Sequence, residues 1–153
     1  MGAVAHDMTQ VGWREWFALP DLGLPLIKAK IDTGARSSSL HVESWELVDR
    51  HEHRWVAFVL RPGSRRGRAK RIEAPVLDTR EVTDSSGNRA LRPFILTTVM
   101  LGSRAWPVEI NLTNRQSMLF PLLIGRTAMA GRLVVDPSRS FVLGRPQKRK
   151  ART

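Results

Sequence analysis

Residues 26–40, LIKAKIDTGARSSSL, decide how this chain is read. Leu26–Ile31 largely alternates apolar and polar residues, the pattern of a strand with one buried face. The strand runs directly into Asp32-Thr33-Gly34. Gly34 lets the backbone turn sharply and brings its own N–H close to a carboxylate. Asp32 then projects from a rigid loop at the floor of a cleft, and Thr33 is placed to hydrogen-bond across to a neighbouring copy. The same three residues also suit an ordinary turn between two strands, because Asp and Gly are common there. The rest of the chain has to decide between the two.

Working outward, strand-like runs dominate. Glu15–Leu19 is followed by a turn at Pro20–Gly23. Arg54–Leu60 (RWVAFVL) reads as another strand. Ile72–Thr83 and Ala90–Met100 flank Asp84-Ser85-Ser86-Gly87-Asn88, a turn sequence. Leu101–Leu112 resumes after a Gly-Ser turn. Leu119–Ile124 (LFPLLI) is wholly apolar and is expected to be buried on both faces. Arg126–Ala130 suits one or two helical turns stopped by Gly131. Arg132–Asp136 and Ser140–Leu143 bracket Pro137-Ser138-Arg139 as a closing hairpin. Short strands, frequent turn signals and almost no helical periodicity predict an all-β barrel or sandwich. Residues 11–144 form one domain on this reading, with a flexible N-terminus at 1–10 and a basic flexible tail at 145–153.

The 153 residues give room for one ordinary domain, and 42% hydrophobic residues supply a core. There is no cysteine, which excludes disulfides, thiolate catalysis and Cys-ligated metals. No apolar run is long enough to span a membrane, and Met1–Gln10 has neither the basic nor the apolar region of a secretory signal. A cytoplasmic protein is expected. The formal net charge is +11, with six basic residues between Arg61 and Arg71 and five between Arg145 and Arg152. Such a field attracts polyanions: nucleic acid, ribosomes or acidic peptides. It equally describes a solvated loop and tail. Five tryptophans (Trp13, Trp16, Trp45, Trp55, Trp106) are able to stack on bases, although packing is the commoner role of Trp.

A second feature changes the weight of Asp32-Thr33-Gly34. Leu122-Leu123-Ile124-Gly125-Arg126 places apolar residues, then Gly, then Arg at the start of a short helix. Together the two segments resemble the retropepsins, the single-domain aspartic peptidases, in which such an apolar strand threads behind the Asp-Thr-Gly loop. The resemblance implies that Asp32, Thr33 and Gly34 form the catalytic loop. It also implies that Ala35, Arg36, Ile124 and Gly125 line the substrate site, and that Ser86 and Gly87 sit at a flap tip. Met100–Ala105 resembles the turn after the flap hairpin. The stretches KAKIDTGARSSSLH, APVLDTREVTDSSGNRALRPF, FPLLIGRTAM and LVVDPSRSFVLG resemble more closely one bacterial group, labelled "ATP-dependent zinc proteases" and found beside ATP-grasp glutamate ligases that modify ribosomal protein.

That label meets little support in the residues. There is no His-Glu-x-x-His and no phosphate loop ending in Gly-Lys-Ser/Thr. The two histidines of His51-Glu52-His53 are too few for a zinc site without further ligands, and the stretch suits a solvated turn before the Arg54 strand. Neither a metal nor another cofactor is expected. A pepsin-like site needs two carboxylates about 3 Å apart, which share one proton because both cannot ionise. With one Asp-Thr-Gly per chain, the second Asp must come from a second copy, so the resemblance implies a C2 homodimer. Ala35 offers no hydroxyl to the carboxylate, and the dyad is therefore expected to hold its proton to higher pH. Arg36 and Arg126 are expected to repel each other unless an acidic group, such as a substrate carboxylate, lies between. The sequence thus supports an aspartic endopeptidase acting on acidic or glutamate-extended peptides, a glutamate-modified ribosomal protein among them. Two alternatives stay open: a non-catalytic module that binds RNA, ribosomal or acidic protein partners through basic loops, and a metal-dependent peptidase.

Overall fold

The structure, a computed structural model, describes residues 7–63, 67–114 and 119–147. Its organising strand is β3, here Leu24–Ile31, which follows β1 (Thr9–Val11) and β2 (Arg14–Leu19). Ile27, Ala29 and Ile31 are buried, while Lys28 and Lys30 lie on the other face. The apolar alternation therefore sets which side of β3 meets the core. Downstream come β4 (Ser38–Val42), β5 (Ser44–Arg50), β6 (His53–Leu60), β7 (Lys70–Pro75), β8 (Asp78–Thr83), β9 (Arg89–Leu101), β10 (Arg104–Asn114) and β11 (Leu122–Ile124). A single helical turn, α1 (Arg126–Met129), and β12 (Leu133–Val135) complete the elements.

The strand order β10-β4-β11-β3-β2-β9 closes on itself through the β9–β10 pairing, giving a six-stranded barrel. Its core is apolar: Phe17, Ile27, Leu40, Ile110, Leu112, Leu122 and Ile124 are fully buried. The expected all-β barrel is what forms. β8 extends one edge as a hairpin with β9, and β5-β6-β7 makes a separate three-stranded sheet. The decisive pairing is that of β11. It runs parallel to β3, with Ile124 opposite Ile31, and antiparallel to β4, with Leu122 opposite Leu40. A three-residue strand from late in the chain is thus inserted between two strands that are neighbours in sequence. The connection from β3 to β4 must cross over the end of β11, and that connection is the Asp32 loop.

Several local expectations are revised. Ile72–Thr83 is not one strand: it breaks after Pro75, and its halves join different sheets. Val76 N–H donates to Arg54 in one sheet, at 2.9 Å, and Leu77 N–H to Phe94 in the other, at 2.7 Å. Leu119 is 86% exposed and Leu123 half-buried, so within the apolar run only Leu122 and Ile124 are buried; Pro121 cannot donate to a ladder, and Phe120 packs edge-on against Trp13. The closing hairpin does not form. β12 pairs in parallel with β1 instead, which draws Thr9 and Gln10 into a strand. Residues 141–143 turn back over Glu15, whose wholly buried carboxylate accepts N–H bonds from Gly12, Val142 and Leu143 at 2.7, 3.0 and 3.2 Å. A buried carboxylate without a cation must collect donors, and here that demand sets the path of the last segment. Residues 64–66 of the 61–71 cluster and residues 148–153 of the tail lie outside the described residues.

Candidate active site

Asp32 leaves β3 with its backbone N–H bonded to the Ile124 carbonyl at 2.9 Å, which continues the β3–β11 ladder one step into the loop. The chain then turns tightly: Ala35 N–H returns to the Asp32 carbonyl at 3.2 Å, and Gly34 N–H donates to Asp32 Oδ1 at 2.9 Å. One carboxylate oxygen is therefore fixed by the backbone of the loop itself. A side chain on Gly34 would meet that oxygen at 3.2 Å, which is why the smallest residue stands there.

The loop is clamped from below by the β11–α1 junction. Arg126 N–H donates to the Ala35 carbonyl at 2.7 Å, and Thr127 binds the Arg36 carbonyl through both its N–H, at 3.1 Å, and its hydroxyl, at 3.0 Å. The Arg126 guanidinium Nη1 donates to the carbonyls of Thr33 and Gly34, each at 3.1 Å. Gly125 lies so close under the loop that an added Cβ would sit 2.4 Å from the Ser37 carbonyl oxygen. Sequence reasoning set Arg126 against Arg36 as a repulsive pair. The structure instead engages Arg126 with backbone carbonyls, and Arg36 is exposed.

A buried polar network supports this junction. Gly125 N–H donates to Ser38 Oγ at 3.0 Å, Asn111 Nδ2 donates to the Ser38 carbonyl at 2.9 Å, and Asn111 Oδ1 accepts from Ser39 Oγ and Arg92 Nη1 at 3.0 and 3.1 Å. Ser38, Ser39 and Asn111 are all buried. None of the three was singled out from the sequence, since the contacts join residues more than 70 positions apart.

Of the residues expected at the site, Asp32, Thr33, Gly34, Ala35, Ile124 and Gly125 come together around one loop, with Arg36 next to it. Ser86 and Gly87 occupy a separate exposed turn joining β8 to β9, organised by Asp84, whose Oδ1 accepts from the N–H groups of Ser86 and Asn88 at 2.9 and 3.0 Å. His51 and Glu52 form the two-residue turn between β5 and β6, and both have positive φ, 46° and 65°. Among the described residues no three His, Asp or Glu side chains gather as a metal-binding group. No helix among them is long and apolar enough to cross a membrane.

Beyond Arg36 and Ser37 the surface opens into a cavity of about 460 Å³. Phe94 and Trp106 line it together with Arg36, Arg80, Arg132 and Glu109. Arg80 bonds to Asp78 and Glu109, both at 2.8 Å. Those hydrogen bonds hold its already high pKa higher still.

A six-stranded barrel carrying one Asp-Thr-Gly loop, threaded by an Ile-Gly-Arg strand, defines a retropepsin-like domain. Residues 10–146 match the family model described as RimB-like, retropepsin-like aspartic endopeptidase RimB, and the chain belongs to that family. It is 45% identical over 135 residues to a protein named probable alpha-L-glutamate ligase from Parasynechococcus marenigrum, and 44% identical over 135 residues to one of the same name from Shewanella pealeana. Each alignment covers 88% of this chain but only 29% and 30% of those proteins. The chain thus spans less than a third of the length of these relatives. Among solved structures it is similar to Lpg0085 of Legionella pneumophila, a protein of unknown function, with a TM-score of 0.73 and 29% identity. That match covers 88% of this chain and 98% of the other.

Proposed function

We propose that this chain is an aspartic endopeptidase, active as a C2 homodimer, that hydrolyses acidic or glutamate-extended peptides. The observation that carries the reading is the Asp32 loop: its backbone is tied down at Thr33, Gly34, Ala35 and Arg36, and one carboxylate oxygen is oriented by Gly34 N–H. Such fixation costs a chain several close approaches, at Gly34 and Gly125, that a plain turn does not need. It is the preorganisation that a reacting carboxylate requires.

In the proposed dimer the Asp32 carboxylates of both protomers meet at the two-fold axis and share one proton. The ionised carboxylate takes a proton from a water molecule as its oxygen attacks the peptide carbonyl carbon. The protonated carboxyl gives its proton to the carbonyl oxygen, forming a neutral gem-diol. As the gem-diol collapses and the C–N bond breaks, one of its hydroxyls returns a proton to the ionised carboxylate, releasing a carboxylic acid. The leaving nitrogen takes up a proton from the dyad and departs as an amine, restoring the dyad's single proton. No metal or nucleotide enters these steps.

An acidic substrate is supported by the net charge of +11 and by exposed Arg36 beside the loop. The relatives point the same way: a domain matching about 30% of proteins named glutamate ligases would find glutamyl peptides close at hand. The same relatives favour the second reading, a non-catalytic module that delivers an acidic or ribosomal partner to such a ligase. A mixing experiment separates them. Asp32→Asn is expected to fold and dimerise but not to cut. Equal amounts of wild type and Asp32→Asn, allowed to exchange, should leave about a quarter of the dimers fully wild type. Activity per wild-type chain should therefore fall to about half. Full activity of Asp32→Asn overturns the peptidase reading, and unchanged activity per wild-type chain overturns the shared dyad. EDTA should leave hydrolysis untouched, whereas a loss restored by zinc would give the case to a metal.

A further inference from the structure

Resting on the reading that the Asp32 loop engages an extended peptide, we infer that the cavity beyond Arg36 is an anionic-side-chain subsite, with Arg36 and Arg132 as its specificity-determining residues and a glutamate-type carboxylate as its ligand. The cavity is of ligand-pocket size, about 460 Å³. It abuts the loop because Arg36 and Ser37 form one of its walls. Its aromatic lining, Phe94 and Trp106, is partly covered by guanidinium groups. Arg80 lies 4.3 Å from the Phe94 ring centre and Arg132 lies 5.4 Å from that of Trp106. Stacking on a ring restrains a guanidinium while leaving its N–H edge available.

The three arginines are not equivalent. Arg80 is neutralised by Asp78 and Glu109. Neither Arg36 nor Arg132 forms an ion pair among the described residues. The backbone carbonyl of Arg36 is held by Thr127, which anchors the residue in the cavity wall and leaves its exposed side chain available to a ligand. Trp106 is fixed in turn by its indole N–H bond to the Ala128 carbonyl at 3.1 Å. The lining side chains carry three positive charges and one negative charge. A cavity with a cationic rim and an aromatic floor suits a ligand that brings methylenes and a planar carboxylate together, as a glutamate side chain does. The cavity is sized for a side chain at the edge of the loop that would hold an extended peptide, which is why a peptide is favoured here; a nucleotide, whose base would also stack on the rings, is the competing outcome of the test.

The test is calorimetric titration of the Asp32→Asn chain, which binds without needing to cut, with tri-glutamate and with tri-glutamine as probes. Tri-glutamate should bind at least tenfold tighter. Arg36→Gln and Arg132→Gln should each lower that ratio severalfold, and the double variant should bring it near one. Arg132→Lys, which keeps the charge but not the fork, should restore only part of it. Thermal melting of each variant checks that the fold is retained. An unchanged ratio in the double variant overturns the inference, as does a ribo-oligonucleotide that displaces tri-glutamate from the wild-type cavity but not from the double variant while matching its affinity. Because binding is read apart from hydrolysis, an inactive wild type would sink the peptidase reading and leave this ratio to stand or fall on its own.

Discussion

Replacing Gly125 with alanine tests whether the clamp under the Asp32 loop is as tight as its geometry states. The added Cβ would lie 2.4 Å from the Ser37 carbonyl oxygen, 2.6 Å from the Ser37 carbonyl carbon and 3.0 Å from the Ala35 carbonyl oxygen. All three are backbone atoms, so no side-chain rotation relieves the contact. To reach ordinary van der Waals separation the two segments must part by about 1 Å. Overpacking of this kind costs roughly 1–3 kcal/mol, and in a domain of this size each kcal/mol lowers Tm by about 2–4 °C. The melting temperature should therefore fall by about 2–12 °C. The effect on hydrolysis should be larger, because a displacement of about 1 Å at a reacting group can cost about a hundredfold. Circular dichroism melts and kcat/KM on a glutamate-rich peptide, measured well below both transitions, read the two effects separately. A variant that melts within 1 °C of wild type and cuts at the same rate would refute the close approach and the role given to it.

Other outcomes follow from single contacts. Asn111→Ala removes an acceptor for Ser39 and Arg92 and leaves the Ser38 carbonyl buried without that donor, so denaturant unfolding should show a loss of about 1–3 kcal/mol. Glu15→Ala strips the acceptor from three N–H groups and should cost about 3 kcal/mol or more, with Glu15→Gln recovering part because one carbonyl oxygen remains. The Asp136 carboxyl is held below its ordinary pKa by the Ser138 hydroxyl and N–H. Its stabilising effect is therefore present above the ordinary carboxylate pKa and is lost as pH falls through the depressed value. The melting difference between wild type and Ser138→Ala should accordingly shrink on going from neutral to strongly acid solution. Wild type should cut glutamate-rich peptides roughly ten- to a hundredfold better than neutral ones, and added salt should narrow the gap. Equal cutting at low salt would remove the acidic-substrate reading.

What the sequence disclosed was written locally. Leu26–Ile31 carries its own alternation, Asp32-Thr33-Gly34 its own turn, and Asp84–Asn88 a hairpin whose Gly87 needs a positive φ of 85°. Ile124-Gly125-Arg126 was legible because an apolar strand, a close approach and a helix start fall in three consecutive residues. What stayed hidden depends on distant partners. Ser38, Ser39 and His41 are polar residues with no burial signal of their own, yet all lie buried in β4, and Asn111 shields two of them from the cost of that burial. β5 and β6 are joined by His51-Glu52 where such a turn ordinarily carries Asn-Gly, so the turn before the Arg54 strand was legible but β5, the strand leading into it, was not. The path of residues 141–143 depends on Glu15, more than 120 positions away. The arginine cavity draws on β8, β9, β10 and α1 together, and no one segment announces it.

The handling of charge at the loop bears on the chemistry proposed for it. A guanidinium bonded directly to Asp32 would hold that carboxylate in its ionised form, and a pair of Asp32 groups that must share one proton would lose the shared state. Arg126 is the arginine of the clamp, and its guanidinium donates to the backbone carbonyls of Thr33 and Gly34 instead. Its charge stiffens the loop through neutral acceptors. The hydrogen bond that does reach Asp32 comes from a neutral donor, Gly34 N–H, and it engages Oδ1. Among the described residues Oδ2 has no donor, which leaves it open to a proton, a water molecule or a second carboxylate. Arg36 and Arg132 meanwhile keep their charges at the cavity, where a substrate carboxylate would be met some distance from the bond to be broken. Recognition by cations would disturb a proton-sharing acid pair placed among them; in the reading proposed here the two would occupy adjoining places, the pair at Asp32 and the cations from Arg36 outward.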